Sequence, residues 1–304
     1  MAGTTGRPDP TLDTARLAGH PVARVGFGAM QLAERGGRAA PARDAALGVL
    51  RRAVELGVDH IDTAEFYGAG VANELIRSAL HPYPDDLVLV SKVGAEHHPG
   101  KGLVPAQRPE QLRAGVEANL RSLGVEQVTV VNLRRLDTGP GIEATGDQRV
   151  DLDGQLAEMV ALRDEGKIGG IGLSNVGVDQ LRRALPVGIA CVQNVYNLLD
   201  RSGEPLLDLC REHDLAWVPF FPLGSAFPRM PSVTDHPAVI AAATALDVTP
   251  AQVALAWLLA HDPHVLLIPG TSSTAHLADN VAAGSVHLDA ETMSTLDGLA
   301  VAPG

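Results

Sequence analysis

The chain of 304 residues is 45% hydrophobic and 20% charged, and its formal net charge is −12. That balance suits a globular fold with a large core and argues against nucleic acid or an anionic membrane surface as a partner. Two cysteines, Cys191 and Cys210, both in apolar surroundings, exclude a disulfide framework.

Residues 1–20 begin with a polar run that lacks an apolar signal core, and are expected to be flexible or to form a short hairpin. A strand is expected at 24–27, then a helix at 44–56 stopped by Gly57. Strand 60–62 and helix 72–80 follow, then strand 87–92 and helix 109–123, then strand 128–133 and helix 152–165 with Gly166 behind it. The second half continues with strand 168–173, helix 178–184, strand 189–193, helix 205–213 and strand 216–220. Thr249-Pro250 supplies a cap and a first-turn proline for helix 250–259, and strand 265–269 leads to helix 275–282. Segment 285–304 adds a last helix that starts at Leu288-Asp289.

Strict alternation of strand and helix gives a parallel sheet with right-handed crossovers, and eight units make a closed (β/α)₈ TIM barrel. An open doubly wound sheet is the alternative, but no Gly-x-Gly-x-x-Gly turn follows the first strand and no linker divides the chain, so residues 1–304 read as a single domain. The longest irregular stretches, 94–107, 137–150 and 224–235, all follow strands, on the face where barrel loops build active sites. No apolar run approaches the ~20 residues that span a bilayer, so a cytoplasmic location is expected.

At the strand ends the residue types carry chemistry. Asp62 closes the second strand, Tyr67 follows five residues later and Lys92 closes the third strand. An ammonium beside a phenol stabilises the phenolate, and a carboxylate holds that ammonium charged and in place. Such a tyrosine gives a proton to a developing alkoxide near neutral pH. Arg134, sharing a face with Val128, Val130 and Asn132, adds a permanent cation with a fork of donors, while Arg135 is expected to pair with Asp137 or solvent. No spacing of His, Cys and carboxylates suggests a metal.

Along nearly its whole length the sequence resembles the aldo-keto reductases. The resemblance rests on Asp62-Thr-Ala-Glu-Phe-Tyr67-Gly68, Ser91-Lys92, Gly172-Leu-Ser174-Asn175, Gln193-Asn-Val-Tyr196, Pro222-Leu-Gly224 and the closing Ile268-Pro-Gly270-Thr-Ser-Ser273 with His276 and Asn280. Where most of that family has His-Arg-x-Asp, this chain has Arg134-Arg135-Leu136-Asp137. The replacement is similar to the pyridoxal reductase-like branch.

The resemblance implies a catalytic set of Asp62, Tyr67, Lys92 and Arg134 and an NADPH site. Ser174, Asn175 and Gln193 would meet the nicotinamide carboxamide, and Phe220 would stack on its ring. Met30, Pro222, Leu223, Gly224 and Ser225 would line the cofactor, the last three at the pyrophosphate. Gly270, Thr271, Ser272, Ser273, His276 and Asn280 would hold the adenosine end, with the 2′-phosphate at a helix N-terminus. Ordinary capping is the plainer reading of the three hydroxyl residues. Gly270 and His276 stand where relatives often place Lys and Arg.

These expectations converge on an NADPH-dependent aldehyde reductase, best matched to pyridoxal, acting as a monomer or weak homo-oligomer on a small carbonyl substrate. A general aldehyde or ketone reductase and a non-catalytic NADP(H)-sensing subunit are the alternatives. A Schiff-base lyase using Lys92 is a third, but it would leave Ser174, Asn175 and Gln193 without a task.

Overall fold

Short β-branched runs separated by amphipathic segments fold here as walls and wrapping of one parallel barrel. The computed structural model describes residues 14–33, 39–137, 141–224 and 231–299. The chain starts with an antiparallel hairpin, β1 (Thr14–Leu17) and β2 (His20–Ala23). Parallel strands β3 (Phe27–Gly28), β4 (His60–Asp62) and β5 (Val88–Val93) follow. A second hairpin, β6 (Ala95–His98) and β7 (Gly102–Pro105), rises from the end of β5. The wall continues with β8 (Val128–Arg134), β9 (Ile168–Ser174), β10 (Ile189–Gln193) and β11 (Ala216–Trp217), all in parallel register.

Residues 265–267 close the ring. Val265 bridges Trp217 and Leu267 bridges Val25, both parallel. Leu266 N donates to Trp217 O at 2.8 Å, and Leu267 N to Arg24 O at 2.8 Å. Regular ladder in these last walls is shorter than the runs 216–220 and 265–269 suggest. Pro219 and Pro269 lack the N–H a ladder needs.

The helices wrap the outside: α1 (Arg43–Glu55), α2 (Val71–Leu80), α3 (Pro109–Leu123), α4 (Leu152–Asp164) and α5 (Val178–Ala184). The rest are α6 (Glu204–Glu212), α7 (Pro237–Leu246), α8 (Pro250–His261), α9 (Thr274–Ala282) and α10 (Ala290–Asp297). Among the described residues no single helix is long and apolar enough to cross a membrane.

Period-two alternation splits the apolar residues into two cores. Ile61, Leu89, Val131, Ile171 and Val192 face the helices. Val88, Val90, Val130, Cys191, Val218 and Leu266 fill the barrel, whose floor is sealed by Leu17 and Val22 of the first hairpin. The two cysteines are buried and free.

Three expectations need correction. The N-terminal hairpin spans Thr14–Ala23 rather than lying within 1–20, and residues 1–13 lie outside the described residues. The stretch 94–107 contains the β6–β7 hairpin rather than irregular chain: two four-residue strands, Ala-Glu-His-His and Gly-Leu-Val-Pro, are too short and too irregular in polarity to show an apolar alternation. Helix α7 was not anticipated: its alanine-rich sequence buries only Val239 and Ala243 and shows no polar face to mark a period.

Candidate active site

Parallel register brings the polar strand ends to one rim. Asp62 closes β4, Lys92 lies at the end of β5, and Arg134 closes β8. Arg134 stands opposite Ser174, and Ser174 opposite Gln193 on the next strand. Asp62 and Lys92 are 3% and 6% exposed, so their charges must be paired to be tolerated there. They form a salt bridge through Lys92 Nζ and Asp62 Oδ1. The same ammonium donates to Thr63 O at 3.1 Å, and Gln193 Nε2 donates to Asp62 Oδ2 at 2.7 Å.

Tyr67 sits on the turn beyond β4, its N–H donating to Ala64 O at 3.0 Å, and Lys92 Nζ lies 5.2 Å from its ring centroid. Burial pulls the Lys92 ammonium down, but attraction to Asp62 and then to the Tyr67 phenol outweighs it and raises its pKa above the ordinary value. Lys92 is therefore cationic at neutral pH.

Phe66, which the sequence analysis passed over, completes this side. Its ring stands edge-on to Tyr67 with centroids 5.3 Å apart, and the Arg134 guanidinium carbon lies 5.9 Å from it. Burial lowers the Arg134 pKa and Tyr67 partly restores it. Among the described residues the Arg134 guanidinium has no hydrogen bond or ion pair. Its main chain is fixed, since Gln107 Nε2 donates to Arg134 O at 2.8 Å. Arg135 is the contrast. It grips Asp137 with two bonds of 2.9 and 2.7 Å, as expected, and is buried against Gln155 and Val150 O as well.

The neighbouring strand ends hold the expected cofactor residues. Ser174 is buried, and Asn175 follows it in the left-handed region at φ 59°. Asn175 N donates to Gln193 O and Asn175 Nδ2 to Arg135 O, each at 2.9 Å. Gln193 uses its amide nitrogen on Asp62, and its buried Oε1 has no hydrogen-bond partner among the described residues. A buried acceptor left unpaired beside a hydroxyl and a second amide fits a ligand carboxamide. Phe220 is half-buried and stands edge-on to Phe221 at 5.1 Å. Pro222 is buried and Leu223 partly so; Gly224 has φ 69° and so close a neighbour that a Cβ would lie 2.1 Å from Pro231 O. Ser225 lies outside the described residues.

On the far side, Gly270 and Gly28 form a tight seam. A Cβ on Gly270 would lie 2.5 Å from Gly28 O, and one on Gly28 would lie 2.5 Å from Ile268 O. The position where relatives often carry lysine is thus closed to a side chain on this backbone. Met30 lies just beyond, on a short 3₁₀ turn, Ala29–Leu32. Thr271 Oγ1 accepts from Ser273 N at 3.1 Å, and Ser273 caps α9 by accepting from His276 N at 3.4 Å. Ser272 is half-buried and its hydroxyl has no partner among the described residues. His276 is exposed, and Asn280, one turn on along the same face, is buried.

Comparison with known proteins gives the family and the fold. A family model described as the aldo/keto reductase family matches residues 24–301. Pyridoxine 4-dehydrogenase of Escherichia coli strain K12 is 44% identical over 289 residues, 94% of this chain and 98% of that protein. Two solved aldo/keto reductase structures from Klebsiella pneumoniae are similar over 95% of both chains. One, in complex with NADP and acetate, has a TM-score of 0.79 at 30% identity. The other, in complex with NADPH, has a TM-score of 0.78 at 28% identity.

Proposed function

Because the chain belongs to the aldo/keto reductase family, we propose that it is an NADPH-dependent aldehyde reductase whose site best fits pyridoxal as substrate. When bound, NADPH supplies the hydride that reaches the carbonyl carbon. Gln193 Oε1, Ser174 and Asn175 would hold the carboxamide, and Phe220 would stack on the ring. Leu223, Gly224 and Ser225 take the pyrophosphate, while Gly270, Thr271, Ser272, Ser273, His276 and Asn280, with Met30 and Pro222 alongside, receive the rest.

Tyr67 gives its phenolic proton to the carbonyl oxygen as that oxygen becomes an alkoxide. Lys92 stabilises the phenolate left behind, and Asp62 keeps Lys92 charged and stationary. Arg134 would face the substrate with a fork of donors that no hydrogen bond among the described residues occupies, which suits an aldehyde bearing a second, anionic oxygen within reach of the same fork. Pyridoxal has that arrangement, its ionisable hydroxyl lying ortho to the aldehyde. The name of the Escherichia coli relative supports the same substrate.

The observation that carries the reading is the buried Asp62–Lys92 pair set against Tyr67, with the Arg134 guanidinium, 5.9 Å from the Phe66 ring, beside them. The test is the loss of near-ultraviolet NADPH absorbance with pyridoxal, benzaldehyde and a simple aliphatic aldehyde. Pyridoxal is expected to turn over fastest; equal rates for all three would remove the substrate assignment. We place the enzyme in the cytoplasm, as a monomer or weak homo-oligomer.

A further inference from the structure

The residues beside the proton-transfer unit turn away from the barrel axis, and they meet outside it. Thr63 follows Asp62, Ser91 precedes Lys92, and Glu65 lies two residues before Tyr67. Neighbours of inward-facing strand residues point toward the helices. Thr63 Oγ1 donates to Asn73 Oδ1 on α2 at 2.8 Å, and Ser91 Oγ donates to Asn119 Oδ1 on α3 at 2.5 Å. Ser122 Oγ, also on α3, donates to Glu65 Oε2 at 2.8 Å. The three arms are tied at Asn73, whose Oδ1 takes the Thr63 hydroxyl and whose Nδ2 has Asn119 Oδ1 at 2.9 Å, Ser122 Oγ at 3.0 Å and Glu65 Oε2 at 3.1 Å. Asn119 Nδ2 in turn donates to Gly115 O at 2.9 Å, which fixes the direction of its amide.

Asn73 and Asn119 are fully buried, in a layer otherwise packed with Ile61, Ile76, Leu89, Leu112 and Val116. Apolar residues would fill that layer without the desolvation cost of two amides. What a satisfied polar network adds is a single geometry. Here that geometry includes the carbonyl of Thr63, which accepts from the Lys92 ammonium at 3.1 Å.

We propose that Asn73 and Asn119 are positioning residues that lock the ends of β4 and β5 and the Tyr67 turn together, fixing the Lys92 ammonium against the phenol. The proposal rests on Tyr67 being the proton donor.

Two variants cut separate arms: Thr63→Val keeps the side-chain shape without the hydroxyl, and Ser91→Ala frees Asn119. With NADPH and pyridoxal, each lowers kcat about ten- to hundred-fold, the scale of a small misplacement of reacting groups. NADPH Kd stays near the parent value, because neither side chain touches the cofactor residues. Thr63→Ser, which returns the hydroxyl, recovers most of the loss. The proposal is overturned if Thr63→Val and Ser91→Ala lower only Tm while kcat matches the parent. It is equally overturned if Thr63→Ser is as slow as Thr63→Val. Should Thr63→Val not fold, Ser91→Ala decides alone. Tyr67→Phe in the same assay separates the two levels: parental turnover there overturns the proton-donor assignment itself, whereas an inactive Tyr67→Phe beside normal Thr63→Val and Ser91→Ala overturns only the positioning role.

Discussion

The two sides of the rim are built to different standards. On the side of β4 and β5, the charged groups Asp62 and Lys92 are buried, paired and carried on strands whose register fixes them, with Arg134 beside them at the end of β8. On the side of residues 222–224 and 270–280 the parts are turns, a helix end, an exposed Gly270 and an exposed His276. The first side is held by its own contacts, because a buried ion pair tolerates little displacement. The second offers short polar groups and close backbone, whose geometry a bound dinucleotide would complete. Damage to the first should therefore appear in turnover, and damage to the second in cofactor affinity.

The hardest test of that division is Tyr67→Phe. It removes the proton donor and leaves the ring packed against Phe66, so turnover should fall by roughly 10²–10⁴. NADPH titration should give a Kd close to the parent's. A large loss of affinity in this variant would mean that the two sides are not separable.

Arg134→His probes the same side with a smaller step. Histidine offers one donor where arginine offers a fork, and the oxyanion contribution lost is about 2–4 kcal/mol. Pyridoxal turnover should fall more than that of benzaldehyde, which lacks the ortho oxygen. A common factor for both substrates would make Arg134 a general electrostatic element.

Across the rim, NADPH should bind only about 10- to 100-fold more tightly than NADH, or ~1.4–2.8 kcal/mol. The Gly28–Gly270 seam excludes the side chain that would otherwise add a cation there, and His276 is the remaining basic group on this stretch. Replacing Ser272 and His276 by alanine should shrink the ratio further. Equal dissociation constants for the two cofactors in the parent would show the phosphate to lie elsewhere.

The same division marks what could be read from the sequence. Strands His60–Asp62 and Ile189–Gln193 and helices Pro109–Leu123 and Val178–Ala184 fall at the expected residues, because their periods and end residues are unambiguous. The Asp62–Lys92 contact was legible too, since a parallel barrel sends both strand ends to one rim. Phe66 was missed although it stands beside Tyr67 in the same turn. An aromatic next to a named residue shows no orientation in sequence, and its contact with Arg134 arises only in three dimensions. The Asn73–Asn119 tie was equally hidden, because two asparagines 46 positions apart carry no period. That Gly270 admits no side chain depends on the Gly28 carbonyl, which only ring closure brings near it.

The finest division falls within three adjacent residues, Thr271, Ser272 and Ser273, which sequence alone cannot separate into caps and ligands. Ser273 Oγ already accepts from His276 N, and Thr271 Oγ1 from Ser273 N, so both hydroxyls serve the end of α9. Ser272 has no such duty among the described residues. Ser273→Ala should therefore cost about 1 kcal/mol of stability, the usual worth of an N-cap, read as a lower Tm of the free protein. Its NADPH Kd should move little once the helix end is saturated with cofactor. Ser272→Ala should do the reverse, leaving Tm unchanged and weakening NADPH by a few-fold, about the net value of one ordinary hydrogen bond. NADH, which lacks the 2′-phosphate, should be insensitive to Ser272→Ala. If Ser273→Ala weakens NADPH more than Ser272→Ala does, the capping hydroxyl is itself a ligand and the helix end is rebuilt when cofactor binds.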